Sequence, residues 1–300
     1  MTASGNIYDL GYRSYEGPRL GRGHAIRALF RHTLRTSFGI GRGGRSKIAP
    51  FVLLALATIP AVVAVGALAL FREAIGSDDL IRENSPIRHG NYYQLITVLV
   101  VLFCAAQAPE VMGRDQRHRL LPLYFSRALR REDYALARFG GLATAVLLFV
   151  LLPQLVIFLG LVLSAEDVGA ELGRELAFVP AILIQALILA GLLGGLSAAV
   201  SSFTPRRAYA TTAIIVLLAV LPIVTEVLIA LGSIPLATLL ALISPTDLLS
   251  ATNAWLFDTF PESAAVNLAD LPLPAFAVAA VVVIVVCVAI VVRRYRTIAT

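Results

Sequence analysis

Lysine occurs once in this 300-residue chain, tryptophan once, cysteine twice and histidine four times. Each shortage removes a class of chemistry. A phosphate-binding loop needs a lysine after glycine, followed by Ser or Thr. The single lysine, Lys47, follows Ser46 and precedes Ile48, so nucleotide hydrolysis by that route is excluded. Cys104 and Cys287 both lie inside apolar runs without metal-ligand spacing. They read as small buried hydrophobes, not as a disulfide framework. HExxH, GxSxG and Cys/His clusters are all missing, and His24, His32, His89 and His118 all fall outside the apolar runs. An enzyme working within a membrane needs paired ionisable groups at matching depth, and apart from Glu110 at the end of the second run the runs supply only Glu226. No catalytic, cofactor-binding or metal-binding residue is therefore expected, and the chain is not expected to be an enzyme.

Charge is scarce too. Only 15% of residues are charged and 58% are hydrophobic, against about 25% and about 45–50% in soluble domains. A soluble fold is excluded. The apolar residues gather into runs long enough to cross a bilayer, which takes about 20 helical residues. Six are expected, at Pro50–Phe71, Tyr92–Met112, Phe139–Ser164, Phe178–Phe203, Ala208–Leu231 and Leu273–Val292. The first begins behind 47 residues carrying nine basic groups, which is not the arrangement of a secretory signal.

The basic residues divide by loop. Nine Lys/Arg lie in residues 1–47, seven in 114–138, two at Arg206–Arg207, and three at Arg293, Arg294 and Arg296. The other four are Arg72, Arg82, Arg88 and Arg174, in the alternate loops, where twelve of the nineteen acids also lie. The positive-inside rule then places both termini in the cytoplasm. The expected fold is an all-α membrane protein with six transmembrane helices, N-in and C-in. It divides into a cytoplasmic N-terminal segment, 1–47, and a six-span domain, 48–300. A net charge of +6 distributed in this way speaks for a membrane surface and not for nucleic acid.

Residues 1–23, rich in Tyr, Gly and Arg, are expected to be extended. In His24–Ile40, Ile26, Leu29, Phe30, Leu34 and Phe38 recur at helical spacing, with Arg27, Arg31 and Arg35 on another face. That pattern describes an amphipathic helix in the headgroup plane, an elbow leading into the first span. Between the second and third spans, the stretch Glu110–Arg138, which includes the loop 113–138, holds seven arginines, four acids and an apolar knot of Leu120, Leu121, Leu123, Tyr124 and Phe125. It reads either as a short surface helix offered to a cytoplasmic partner or as a basic loop that only sets topology.

Between the fifth and sixth spans, residues 232–272 are too long for a turn. Their apolar piece, Ile234–Ile243, is too short to span and is expected to be re-entrant or interfacial. Polar groups within the runs are few. Gln154, Gln185 and Glu226 are candidates for a translocation path, although the glutamines also suit helix-to-helix hydrogen bonds and Glu226 also suits the outer interface. Gly191, Gly194, Gly195 and Ser197 read as a close helix-packing face.

The stretch Leu123-Tyr124-Phe125-Ser126-Arg127-Ala128-Leu129, followed by Arg131 and Tyr134, resembles the segment entering the third span in the permease subunits of type-2 ABC exporters. The opening YDLGYRSYEGPRLGR is similar to that of actinobacterial members. Arg119, Pro122 and Ala128 depart from the family pattern, which has glycine, an acid and proline there. The resemblance implies a permease moving an amphipathic or lipid-like compound (a drug, antibiotic or lipid precursor) out of a bacterial cell across its inner membrane. It implies two copies of a cytoplasmic ATPase that bind ATP and Mg, and a second permease, identical or paralogous, contacted through the first and fifth spans. Arg114, Asp115, Arg117, Leu120, Leu121, Leu123 and Tyr124 would then form the ATPase-coupling element. The alternatives are a secondary transporter and a non-transporting membrane scaffold.

Overall fold

A computed structural model describes residue 17 and residues 20–75, 88–126, 129–232, 237–269 and 271–298. Most of the tyrosine-rich opening, most of the 72–91 loop, Arg127–Ala128 and residues 233–236 lie outside the described residues. The described chain is helical, with no strand. The elements are α1 (Gly21–Ser37), α2 (Arg45–Ile75), α3 (His89–Met112), α4 (Arg114–Arg117), α5 (Leu121–Phe125), α6 (Arg131–Ser164) and α7 (Val168–Phe203). They continue with α8 (Arg207–Ala230), α9 (Ala237–Ile243), α10 (Pro245–Phe257), α11 (Ala264–Leu268) and α12 (Leu273–Thr297). Six of them, α2, α3, α6, α7, α8 and α12, are long and apolar enough to cross a membrane. This is a multi-pass membrane protein.

The helices outrun the apolar runs. The third begins at Arg131 and not at Phe139, and the fourth at Val168 and not at Phe178. Their starts are set by caps, which apolar periodicity does not report. The Asp133 carboxylate accepts from the Arg130 backbone N–H, and Asp167 accepts from the Ala170 N–H, filling donors that a helix start leaves unpaired. At 34 and 36 residues, α6 and α7 are each about 50 Å long, against a hydrocarbon core of about 30 Å. Their polar first turns therefore project beyond it. The spans end close to the apolar boundaries elsewhere, and α8 is interrupted by a π-turn at Val216–Val220.

α3, α6 and α7 form the packed centre, with α12 against α7. Phe103 of α3 meets Phe149 of α6 at 4.7 Å between ring centroids. Glycines permit close approach on α7: a Cβ on Gly191 would fall 2.8 Å from Ile284, and one on Gly195 3.3 Å from Cys287. Of the expected packing face, Gly191 and Gly195 receive α12, whereas Gly194 faces Ala143 and Val146 of α6. α2 is the least covered span, with Phe51, Leu56, Ile59, Val62 and Val63 exposed.

The helix expected over His24–Ile40 is α1, Gly21–Ser37, which ends three residues earlier than the periodicity suggests because Gly39 turns the chain at φ 71°. Arg27, Arg31 and Arg35 are exposed, while Phe30, Leu34 and Phe38 pack toward the core. α1 lies on α6, where Gly141 makes room for Thr33. In the 232–272 segment, α9 and α10 have 7 and 13 residues, too few to cross. α10 nonetheless sinks Leu248, Leu249, Ala251, Asn253 and Ala254 into the bundle.

Candidate functional site

The loop between the second and third spans is not one helix but two. Arg119, at φ 54°, breaks the chain between α4 and α5. Pro122 then falls in the first turn of α5, where its missing N–H removes no hydrogen bond.

Two side chains one turn apart on α6, Tyr134 and Arg138, share a face and hold this loop. Arg138 is 4% exposed and Asp115 of α4 is 5% exposed. The Arg138 guanidinium donates to the Asp115 carboxylate through Nη2, to the Tyr134 hydroxyl through Nε at 3.2 Å and to Thr33 Oγ1 of α1 at 3.4 Å. The Tyr134 hydroxyl donates in turn to Asp115 Oδ2 at 2.7 Å. A buried ion pair adds little net stability over apolar packing, but losing one partner leaves an uncompensated charge. Here that charge would sit where α1, α4 and α6 meet.

A second layer ties in the last span. The Tyr295 hydroxyl donates to the Met112 carbonyl at 2.8 Å, and Gln116 Nε2 donates to Tyr295 Oη at 3.1 Å and to the Ser202 carbonyl at 3.2 Å. The Tyr134 ring meets those of Tyr124, at 5.3 Å, and Tyr295, at 5.2 Å, both tilted against it. Outside this hub, Arg22 forms a two-pronged pair with Asp133, each bond 2.7 Å, and the carboxylate holds the guanidinium above its usual pKa. Arg131 donates to the Arg296 and Ile298 carbonyls. The first helix and the end of the last span thus both meet the start of α6.

The seven expected coupling residues divide. Asp115 and Leu121 are buried, and Tyr124 is half-buried against Tyr134. Leu120 is partly covered. Arg114 and Arg117 are exposed, and Leu123 is 65% exposed, beside exposed Pro122. The element therefore has an inner anchoring face and an outer face bearing one large uncovered apolar side chain. Next to it opens a cavity of about 1100 Å³ lined by Arg42, Arg45, Arg114, Arg117, Arg138 and Arg207 against Glu110 and Asp115. Glu110 is shared among Arg207 at 3.3 Å, Arg117 at 3.5 Å and Arg42 at 3.6 Å.

The candidate path residues lie at the other end of the bundle, and the structure brings only two of the three together. Gln185 and Glu226 line one cavity of about 320 Å³. Gln154 is elsewhere. Its Nε2 donates to the His89 carbonyl at 3.1 Å, which turns its Oε1 to within 2.7 Å of His89 Nδ1. His89 Nε2 lies 2.8 Å from Glu175 Oε2. With an amide oxygen facing Nδ1, that nitrogen is the donor of the contact, and Nε2 faces the carboxylate. His89 is thus not outside the spans as expected: it is the first residue of α3 and buried.

Arg138, Tyr134 and His89 are the functional candidates that local sequence reasoning missed. The available signal was a charged or ring-bearing residue at the very edge of an apolar run, where a helix longer than the run buries it. No protein-family model matches the chain, and no curated protein matches it.

Proposed function

We propose that this chain is the permease subunit of an ATP-driven exporter, with the arginine-rich end in the cytoplasm and α4–α5 as the element that a separate ATPase moves. The observation that carries the reading is the two-faced loop. Its inner residues are fastened through Asp115, Arg138, Tyr134 and Gln116 to α1, α6, α7 and α12, while Leu123 stands uncovered on the outer face. An element held that rigidly transmits a push to four helices at once. Coupling of this kind needs a contiguous physical connection with two arrangements, and nucleotide binding in the partner supplies the differential affinity that shifts between them. α1, with its exposed Arg27, Arg31 and Arg35, serves as the elbow in the headgroup layer. The exposed faces of α2 and α8 receive the second permease. ATP and Mg are bound by the partner, and this chain hydrolyses nothing. The cargo is an amphipathic or lipid-like compound, and the membrane is the bacterial inner membrane.

A photo-crosslinking amino acid in place of Leu123 tests the reading in cells. The expected product is a single adduct with a soluble protein that carries a Walker motif. Adducts only with lipid, or none, would count against it.

A second reading has one observation in its favour. The buried His89–Glu175 contact is an ionisable pair within the helical bundle, of the kind secondary transporters use. Its position at the bundle end, with both ring nitrogens and Gln154 already engaged, fits a fixed helix junction better than a carrier site at mid-depth.

A further inference from the structure

The cavity holding Gln185 and Glu226 sets carboxylates and amide oxygens among apolar side chains, Val98, Leu189 and Leu249. Among the described residues, seven buried side-chain polar atoms have no hydrogen-bond partner, and four belong to residues around this cavity: Gln185 Oε1, Asp247 Oδ2, Ser250 Oγ and Asn253 Oδ1. Leaving such a group unpaired costs about 1–3 kcal/mol, so a cluster of them points to a ligand that satisfies them together.

The amide orientations follow from their donors. Gln185 Nε2 donates to the Leu249 carbonyl at 3.3 Å, and Asn253 Nδ2 donates to the Gly90 carbonyl at 3.0 Å. Both amides therefore keep their oxygens as the unpaired ends. Gln185, Asp247 and Asn253 are 1%, 4% and 3% exposed. Two more carboxylates complete the lining, Glu226, which accepts from Ser263 Oγ at 3.1 Å, and Glu262, which lies against the Gln94 amide group. No Lys, Arg or His is among the described residues that line it.

Unpaired acceptors and carboxylates without a basic side chain, set beside apolar walls, suit a donor-rich cation that carries an apolar body. Among the described residues no three His, Cys, Asp or Glu side chains converge closely enough for a metal ion. At about 320 Å³ the cavity also exceeds an inorganic ion and matches the small end of organic ligand sites. We infer that this cavity binds the protonated amine of an amphiphilic ligand, with the ammonium hydrogens directed to Asp247, Asn253 and Gln185, and Glu226 and Glu262 supplying charge at the rim. The site stands on this chain alone. Only its role as the cargo site rests on the exporter reading.

The test uses the full chain in phosphatidylcholine nanodiscs without any partner, with the fluorescent primary amine monodansylcadaverine and its neutral N-acetyl derivative as probes. The amine is expected to bind at least about tenfold more tightly than the acetylated probe, and Asp247→Asn to weaken it by about tenfold or more, as for loss of one partner of a buried charge pair. Glu262→Gln, at an exposed position, keeps the test informative where Asp247→Asn disturbs folding, and is expected to weaken the amine severalfold. Asp258→Asn, which removes an exposed acid on the same segment, is expected to change nothing. Equal affinity for the neutral probe, or unchanged affinity in Asp247→Asn and Glu262→Gln, would overturn the assignment. A chain that binds the amine but neither recruits nor stimulates an ATPase would keep the site and remove the exporter.

Discussion

Removing the Asp115 carboxylate leaves the Arg138 guanidinium buried at 4% exposure with only the Tyr134 and Thr33 oxygens as acceptors. Breaking one side of such a pair costs about 3–5 kcal/mol, whereas replacing both partners with apolar groups of similar size is near neutral. Asp115→Leu is therefore expected to loosen the α4–α5 loop, and Asp115→Leu with Arg138→Met to tighten it again. At about 1.4 kcal/mol per factor of ten, the single variant should raise local opening by about two to three and a half powers of ten. The assay is amide hydrogen exchange across residues 112–126 in nanodiscs, since exchange from a locally opened state reports that equilibrium directly. In the single variant the protected amides of the loop should exchange faster by that factor, while those in the middle of α6 keep their rates. The double variant should return most of the protection. Unchanged exchange in Asp115→Leu, or no recovery in the double variant, would show that the pair does not hold the loop, and the transmission argument would fall with it.

Leu123→Asp replaces the exposed side chain of the loop without touching the hub, so thermal stability should stay within about 0.5 kcal/mol of wild type, as for surface changes generally, while ATPase association falls. Gly191→Val places side-chain atoms where Ile284 already lies and should destabilise the α7–α12 contact by about 1–3 kcal/mol, read as a lower melting midpoint in detergent. Burial, reinforced by Glu226, raises the Asp247 carboxyl above its ordinary 3.8. A raised native value means that the folded chain binds this proton more tightly than the unfolded chain. Stability should therefore increase as pH falls from the raised value toward 3.8, while affinity for an amine declines over the same window as Asp247 loses its charge. Asp247→Asn should flatten both pH profiles.

The elements were largely legible because their signals are local. Six apolar runs, the Arg27–Arg31–Arg35 stripe and the Gly191–Gly195 face are each written within a few turns of helix. Helix starts were placed several residues late, since Asp133 and Asp167 act as caps and look like ordinary loop acids in a hydropathy reading. The hub was not legible. Asp115 and Arg138 are 23 positions apart in a segment with seven arginines, and nothing in their spacing says that this pair, among so many charges, is the one withdrawn from water. The acceptor cavity was harder still. Its residues come from α3, α7, α8, α10 and the turn before α11, and only folding shows that the donors of Gln185 and Asn253 are engaged and their oxygens are not. Gln154 illustrates the same limit, because its partner His89 lies three residues before the second apolar run and only the longer α3 buries it.

Coupling through this chain requires α4–α5 to be the surface that an ATPase grips. The most direct measurement is to isolate the tagged chain from mild detergent, identify co-purifying proteins by mass spectrometry, and assay the eluate for ATP hydrolysis, beside Leu123→Asp. The account predicts a stoichiometric soluble protein with a Walker motif and measurable ATPase activity, both lost in Leu123→Asp while the chain itself still inserts and folds. A chain that purifies alone and moves substrate under an ion gradient, with Leu123→Asp as active as wild type, would contradict it and shift attention to the His89–Glu175 pair.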